Sequence, residues 1–218
     1  MTNFIQHLVD ALSVGSTYSL LALGLTLVFG VMGLVNFAYG MLIVWSGYAI
    51  GLLAGWHVNV VLAVVAVIGV ATFLSLVMGE VAFRPFRKAP PLTLLLTSFG
   101  VSLILQASVR IIFGEGFRRV PTPSVLGNGL HAGGVRISVL QLVSVGTGTL
   151  VVLGLYLLLQ RTTLGLQMRA YAEDADVAGM MGVRTERILT AAFALSGVIA
   201  VLVLRPQGVA GRVVELSR

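Results

Sequence analysis

The sequence predicts an all-α fold: a polytopic transmembrane helical bundle of about six spans, with one hydrophilic helical segment outside the bilayer. Three observations predict it. Of 218 residues, 57% are hydrophobic and only 10% charged, against roughly a quarter charged in an ordinary soluble domain. From Ala11 to Gly79 there is no Asp, Glu, Lys or Arg, and a span takes about 20 apolar residues, so that run holds about three. Segments such as Val60–Val70 are apolar on every face. That suits buried or lipid-facing helices and excludes an outer-membrane barrel, whose strands alternate apolar and polar.

The expected spans run Ala11–Val31, Gly40–Gly55, Val58–Gly79, Leu92–Phe113, Val139–Leu159 and Ile188–Leu204. Together they make one membrane domain over residues 1–218. The first apolar stretch lacks the basic n-region and small-residue cleavage site of a signal peptide, so it is expected to be a retained span. Between the third and fourth spans lies the basic loop Arg84–Pro91. A polar, Gly/Pro-rich loop covers Gly114–Arg136, and a hydrophilic segment covers Arg161–Arg187. Loop 81–91 and segment 161–187 carry clustered basic residues two spans apart. The positive-inside rule therefore places both in the cytoplasm. The N-terminus and loop 114–136 then fall outside. So does the tail after Arg205, whose arginines run against the rule.

Catalytic chemistry has little to stand on. Cysteine is absent, and the only lysine, Lys88, precedes Ala89-Pro90, so there is no phosphate-binding loop. No GxSxG or HExxH motif occurs. His7, His57 and His131 are far apart in sequence and make no ligand set. No cofactor, metal or nucleic-acid partner is expected, and any energy source must sit on another subunit. No acid or histidine occupies the middle of a span, so the usual relay for ion-coupled transport is missing.

Four features have spacings that carry chemistry. Segment 161–187 is rich in helix formers from Leu164 to Met181 and holds Arg169, Glu173, Asp174 and Asp176. Ala170, Asp174, Ala178 and Gly182 recur every fourth residue, which predicts one small-residue stripe on a continuous helix. Two readings fit: a helix that docks into a partner, or a solvated loop helix. Gly33–Gly40 contains Asn36 between two spans. It reads as a broken helix lining a path, or as an ordinary tight turn. Gly47, Gly51 and Gly55 form a tandem GxxxG, a helix-packing face within the subunit or toward a second one. Ser98, Ser102 and Gln106 make a polar stripe that faces a path or bonds its own backbone.

These blocks, in order, resemble a family. They are Gly15–Gly30, Gly33–Gly40 (GLVNFAYG), Arg84–Gly100 (RPFRKAPPLTLLLTSFG), Ser102–Gly114 and Thr163–Gly182 (TLGLQMRAYAEDADVAGMMG), followed by Phe193–Gly197. The chain resembles the permease subunits of branched-chain amino acid (Liv-type) ABC importers. Asp176–Gly182 is similar to a degenerate EAA–x–x–x–G loop of such permeases. The resemblance implies a multi-pass inner-membrane transporter subunit, not an enzyme. It also implies a second, homologous permease, two cytoplasmic ATPase subunits and an extracytoplasmic solute-binding protein. Block 163–182 would then be the cytoplasmic coupling helix, with Arg169, Glu173, Asp174, Ala178 and Gly182 in ATPase coupling. The path would use Asn36, Ser98 and Ser102, and the loop around Gly114–Pro123 would receive the binding protein. Family members continue for some two further spans, so a chain shortened at its C-terminus is expected. The alternatives are a non-conducting paralogue and a secondary carrier.

Overall fold

The computed structural model describes residues 2–33, 35–55, 60–86, 89–114, 129–132 and 135–208. Among these residues, eight α-helices follow in order: α1 (Thr2–Met32), α2 (Tyr39–Gly55), α3 (Val60–Val77), α4 (Pro91–Phe113), α5 (Val139–Arg161), α6 (Thr163–Glu173), α7 (Ala175–Met180) and α8 (Thr185–Gly208). A π-helical turn, Met78–Phe83, continues α3. A short hairpin, β1 (Gly129–Ala132) with β2 (Val135–Ser138), precedes α5.

Among the described residues, five helical stretches are long and apolar enough to cross a bilayer: Phe4–Met32, Leu62–Phe83, Pro91–Phe113, Gln141–Arg161 and Thr185–Val203. The second expected span, α2, is apolar but has only 17 residues, so it rises about 25 Å. The helices outrun their expected ends. α1 begins at Thr2, well before Ala11, because Asp10 does not end the helix: its Oδ1 accepts from Gln6 Nε2 at 3.2 Å, one turn earlier. Asp10 therefore sits inside α1.

α8 occupies the centre of the bundle, against α1, α2 and α3. Ala192, Ser196, Gly197 and Ala200 are buried along it. Ser196 Oγ donates to the Gly24 carbonyl of α1 at 3.1 Å. From α3, Ser75 Oγ donates to the Phe193 carbonyl at 2.7 Å. A Cβ on Gly197 would stand 2.8 Å from the Thr72 Cα, so only glycine allows this approach. On the other side of α1, Gly148 of α5 packs against Ser16, and Gln141 Nε2 donates to Asp10 Oδ1 at 2.6 Å.

α2 packs Ala49, Ile50 and Leu53 against Val67, Ala71 and Val201 of α3 and α8. Gly47 and Gly51 are half-buried on it. Gly55 is its last residue, and its surroundings lie outside the described residues.

One expected loop needs correction. Within 114–136, residues 129–132 pair antiparallel with 135–138, His131 opposite Arg136. Composition read this stretch as polar loop because strands of four residues are too short to show a period. Gln141 Oε1 accepts from the Ser138 amide at 2.9 Å, which ties β2 to the start of α5. The hairpin and segment 163–183 lie at opposite ends of α1: β2 and Gln141 near its start, Met168 and Ile188 packed on Leu27 near its end.

Candidate functional site

Segment 162–183 is built from local hydrogen bonds. Thr162 sits in extended backbone, and its Oγ1 accepts from the Gly165 amide at 3.0 Å, capping α6. Gly165 lies against the backbone of Leu158 and Leu159, where a Cβ would collide. α6 buries Met168 with Leu27, Ile188 and Ala192, fastening the segment to the bundle.

The continuous helix expected from Leu164 to Met181 is not formed. It breaks at Asp174, whose backbone is extended (φ −152°, ψ 110°). The Asp174 carboxylate accepts from the amides of Asp176 and Val177, both at 2.9 Å. Asp is a poor interior helix residue and a strong N-cap, so the cap wins over continuation. The four-residue stripe through Ala170, Asp174, Ala178 and Gly182 therefore does not exist as one helix face. Instead, Asp174 starts α7 and Gly182 ends it. Gly182 has φ +85°; its amide bonds to the Gly179 carbonyl at 3.1 Å and the Val183 amide bonds to Ala178 at 3.0 Å. That is a Schellman closure, which favours glycine at this position.

Ala178 faces inward and is buried, while Arg169, Glu173 and Asp176 are exposed. Arg169 Nη1 reaches Gln160 Oε1 at 3.4 Å. Three large apolar side chains also face outward on α7 and its C-cap: Val177 is 55%, Met180 87% and Met181 82% exposed. Sequence reasoning counted these methionines as helix formers and missed their exposure. The signal was a Met-Met pair directly before a helix-ending glycine.

The α1–α2 break is the second local device. Gly33 has φ +71°, which releases the chain from α1. Asn36 is 1% exposed. Its Oδ1 accepts from the Ala38 amide at 3.0 Å and its carbonyl accepts from the Tyr39 amide at 3.2 Å, which starts α2. Asn36 Nδ2 has no hydrogen-bond partner among the described residues. Ser98 Oγ accepts from the Phe37 amide at 3.4 Å and donates to Leu95 within α4. The structure thus brings Asn36 and Ser98 together, one residue apart on the broken backbone. Ser102 is half-buried one turn along α4, and Gln106 is exposed a turn further.

A third cluster was not anticipated. Arg84, just after the π-turn, donates through Nη1 to Glu80 Oε2 at 2.6 Å and through Nη2 to Glu186 Oε1 at 2.5 Å. Hydrogen bonds to Glu80 and then Glu186, with the charges of both acids, hold the guanidinium above its ordinary value. This contact places Arg84 and the start of α8 at the same end of the bundle, the arrangement expected of two segments that share a side of the membrane.

Among the described residues, no three His, Asp or Glu side chains cluster as a metal site. His57 and residues 115–123 of the expected binding-protein loop lie outside the described residues.

Residues 7–203 match the family described as branched-chain amino acid transport system / permease component. The chain belongs to this family. The high-affinity branched-chain amino acid transport system permease protein BraD of Pseudomonas aeruginosa is 34% identical, covering 95% of this chain and 73% of that protein. The corresponding permease protein LivH of Escherichia coli is 30% identical, covering 90% of this chain and 68% of its own length. A probable LivH permease of Methanocaldococcus jannaschii is 28% identical over 83% of this chain. No solved structure matches. With five span-length apolar helices, this permease is a multi-pass inner-membrane subunit of an ABC importer.

Proposed function

We propose that this permease pairs with a second, homologous permease to carry branched-chain amino acids inward, driven by two cytoplasmic ATPase subunits and fed by an extracytoplasmic solute-binding protein. Segment 163–183 is the ATPase-docking element. The observation that carries this reading is the apolar tip Val177–Met180–Met181, presented on a helix fixed at both ends by Asp174 and Gly182. Large apolar side chains held out in an otherwise charged segment suit a hydrophobic pocket on a partner. Arg169, Glu173 and Asp176 supply the polar rim, and buried Ala178 lets α7 lie close to its own bundle.

For the path, Asn36 and Ser98 hold the broken helix open as a wall element, and Ser102 with Gln106 lines it. An amide exposed on a membrane-spanning helix is poorly matched to lipid and suits a polar path or a partner.

The test is uptake of labelled leucine by the complete importer in vesicles. Val177→Asp and Met181→Asp should each lower uptake and ATPase co-purification about tenfold, the size of one lost interface anchor. Both variants should still insert. Wild-type uptake by both would contradict the docking assignment.

A further inference from the structure

The Glu80–Arg84–Glu186 cluster joins the end of α3 to the start of α8. Glu80 lies in the π-turn that ends α3. Glu186 lies in the first turn of α8, a few residues after the Gly182 turn that closes the docking helix. Arg84 bridges the two acids, and Thr190 Oγ1 approaches Glu80 Oε1 at 3.5 Å from α8. Below the charges is a shallow recess lined by Leu76, Gly79, Leu189 and Phe193. Its floor is tight: a Cβ on Gly79 would stand 2.6 Å from the Phe193 ring, and Phe83 packs on that ring at 5.5 Å.

The π-turn is the second observation. The Arg84 amide bonds to the Gly79 carbonyl at 2.9 Å, five residues back. Such turns occur as insertions inside α-helices and often sit at functional positions. Changing one bond from five-back to four-back swings the following residue by about 100° about the axis.

We propose that Arg84 is a positioning residue for energy coupling: its clasp of Glu80 and Glu186 links the docking segment to α3. Displacement of α7 reaches α8 through the short 181–184 connection, and Arg84 carries it across to the π-turn. The three side chains are about half exposed, and exposed pairs contribute little to stability. Loss of the clasp should therefore appear in coupling and leave folding intact. This inference rests on the docking role of segment 163–183.

The experiment measures uptake and ATP hydrolysis in the same vesicles containing the complete importer. Arg84→Glu and Glu186→Arg singly should lower uptake about tenfold while hydrolysis and ATPase co-purification stay within about twofold, since the coupling and not the docking is broken. The swap Arg84→Glu with Glu186→Arg restores opposite charges and should recover at least half of wild-type uptake. Arg84→Lys keeps the charge but cannot fork between two acids, and should fall between. Unchanged uptake in the single variants, a swap no better than the singles, or hydrolysis falling in step with uptake would each overturn the clasp. The docking role is read separately: if Met181→Asp keeps its ATPase, docking fails, while the Arg84 swap still reports on the ratio of uptake to hydrolysis.

Discussion

Helices α5 and α8 are similar by hydropathy and opposite by position. Their candidate spans have mean hydropathies of 2.2 and 1.8, yet 11% of the α5 window is buried against 50% for α8. Hydropathy governs entry into the bilayer; it says nothing about rank within the bundle. Rank follows from where small and hydroxyl residues fall. In α8 they recur along the whole helix: Ala192, Ser196, Gly197 and Ala200 are all buried. In α5 the run Ser144–Thr149 is confined to the first half, where Ser144 is buried and Gly148 meets Ser16 of α1. The second half offers Leu150, Leu153, Tyr156 and Leu157 outward. Without a hydrophobic force between helices in lipid, close backbone approach is what draws helices together.

The comparison breaks most sharply at glycine. Gly197→Leu puts a side chain where even a Cβ would stand 2.8 Å from the α3 backbone. We expect a loss of about 2–3 kcal/mol or more, read as thermal unfolding in detergent. Hydroxyl removal is the next step down. Ser75→Ala and Ser196→Ala each break a bond to a carbonyl on a neighbouring helix, and should cost about 0.6 and at most about 1.7 kcal/mol. The control is Gly154→Leu on α5. Nothing lies within 4 Å of its Cβ position, so the effect should stay within about 0.5 kcal/mol. A Gly154 effect as large as that of Gly197 would remove the distinction between the two helices.

The same contrast explains what could be read from sequence. The bundle was legible because charge-free runs leave no other fold for 57% apolar residues. The family was legible in the order of the sequence blocks, and the family match bears out that resemblance over residues 7–203. Local backbone decisions were harder. Asp174 fits a four-residue stripe and an N-cap equally well until the competition for the Asp176 and Val177 amides is seen. The tandem glycines of α2 stand out by spacing, whereas the tightest described approach of a glycine to the backbone of another span is on α8, at Gly197, a lone glycine in its helix interior. The Arg84 clasp joins residues about a hundred positions apart, and no local spacing reports such a pair.

The central claim is that α7 offers its apolar tip to an ATPase subunit. The chain has no cysteine, so single cysteines carry a thiol-linked photo-crosslinker without background from this subunit. Met181→Cys and Leu150→Cys are both highly exposed positions, 82% and 72%, one at the C-cap of α7 and one on the outward half of α5. In vesicles of the assembled importer, Met181→Cys should form an adduct with the ATPase subunit and Leu150→Cys should form none. No ATPase adduct from position 181, or equal adducts from both, would contradict the account.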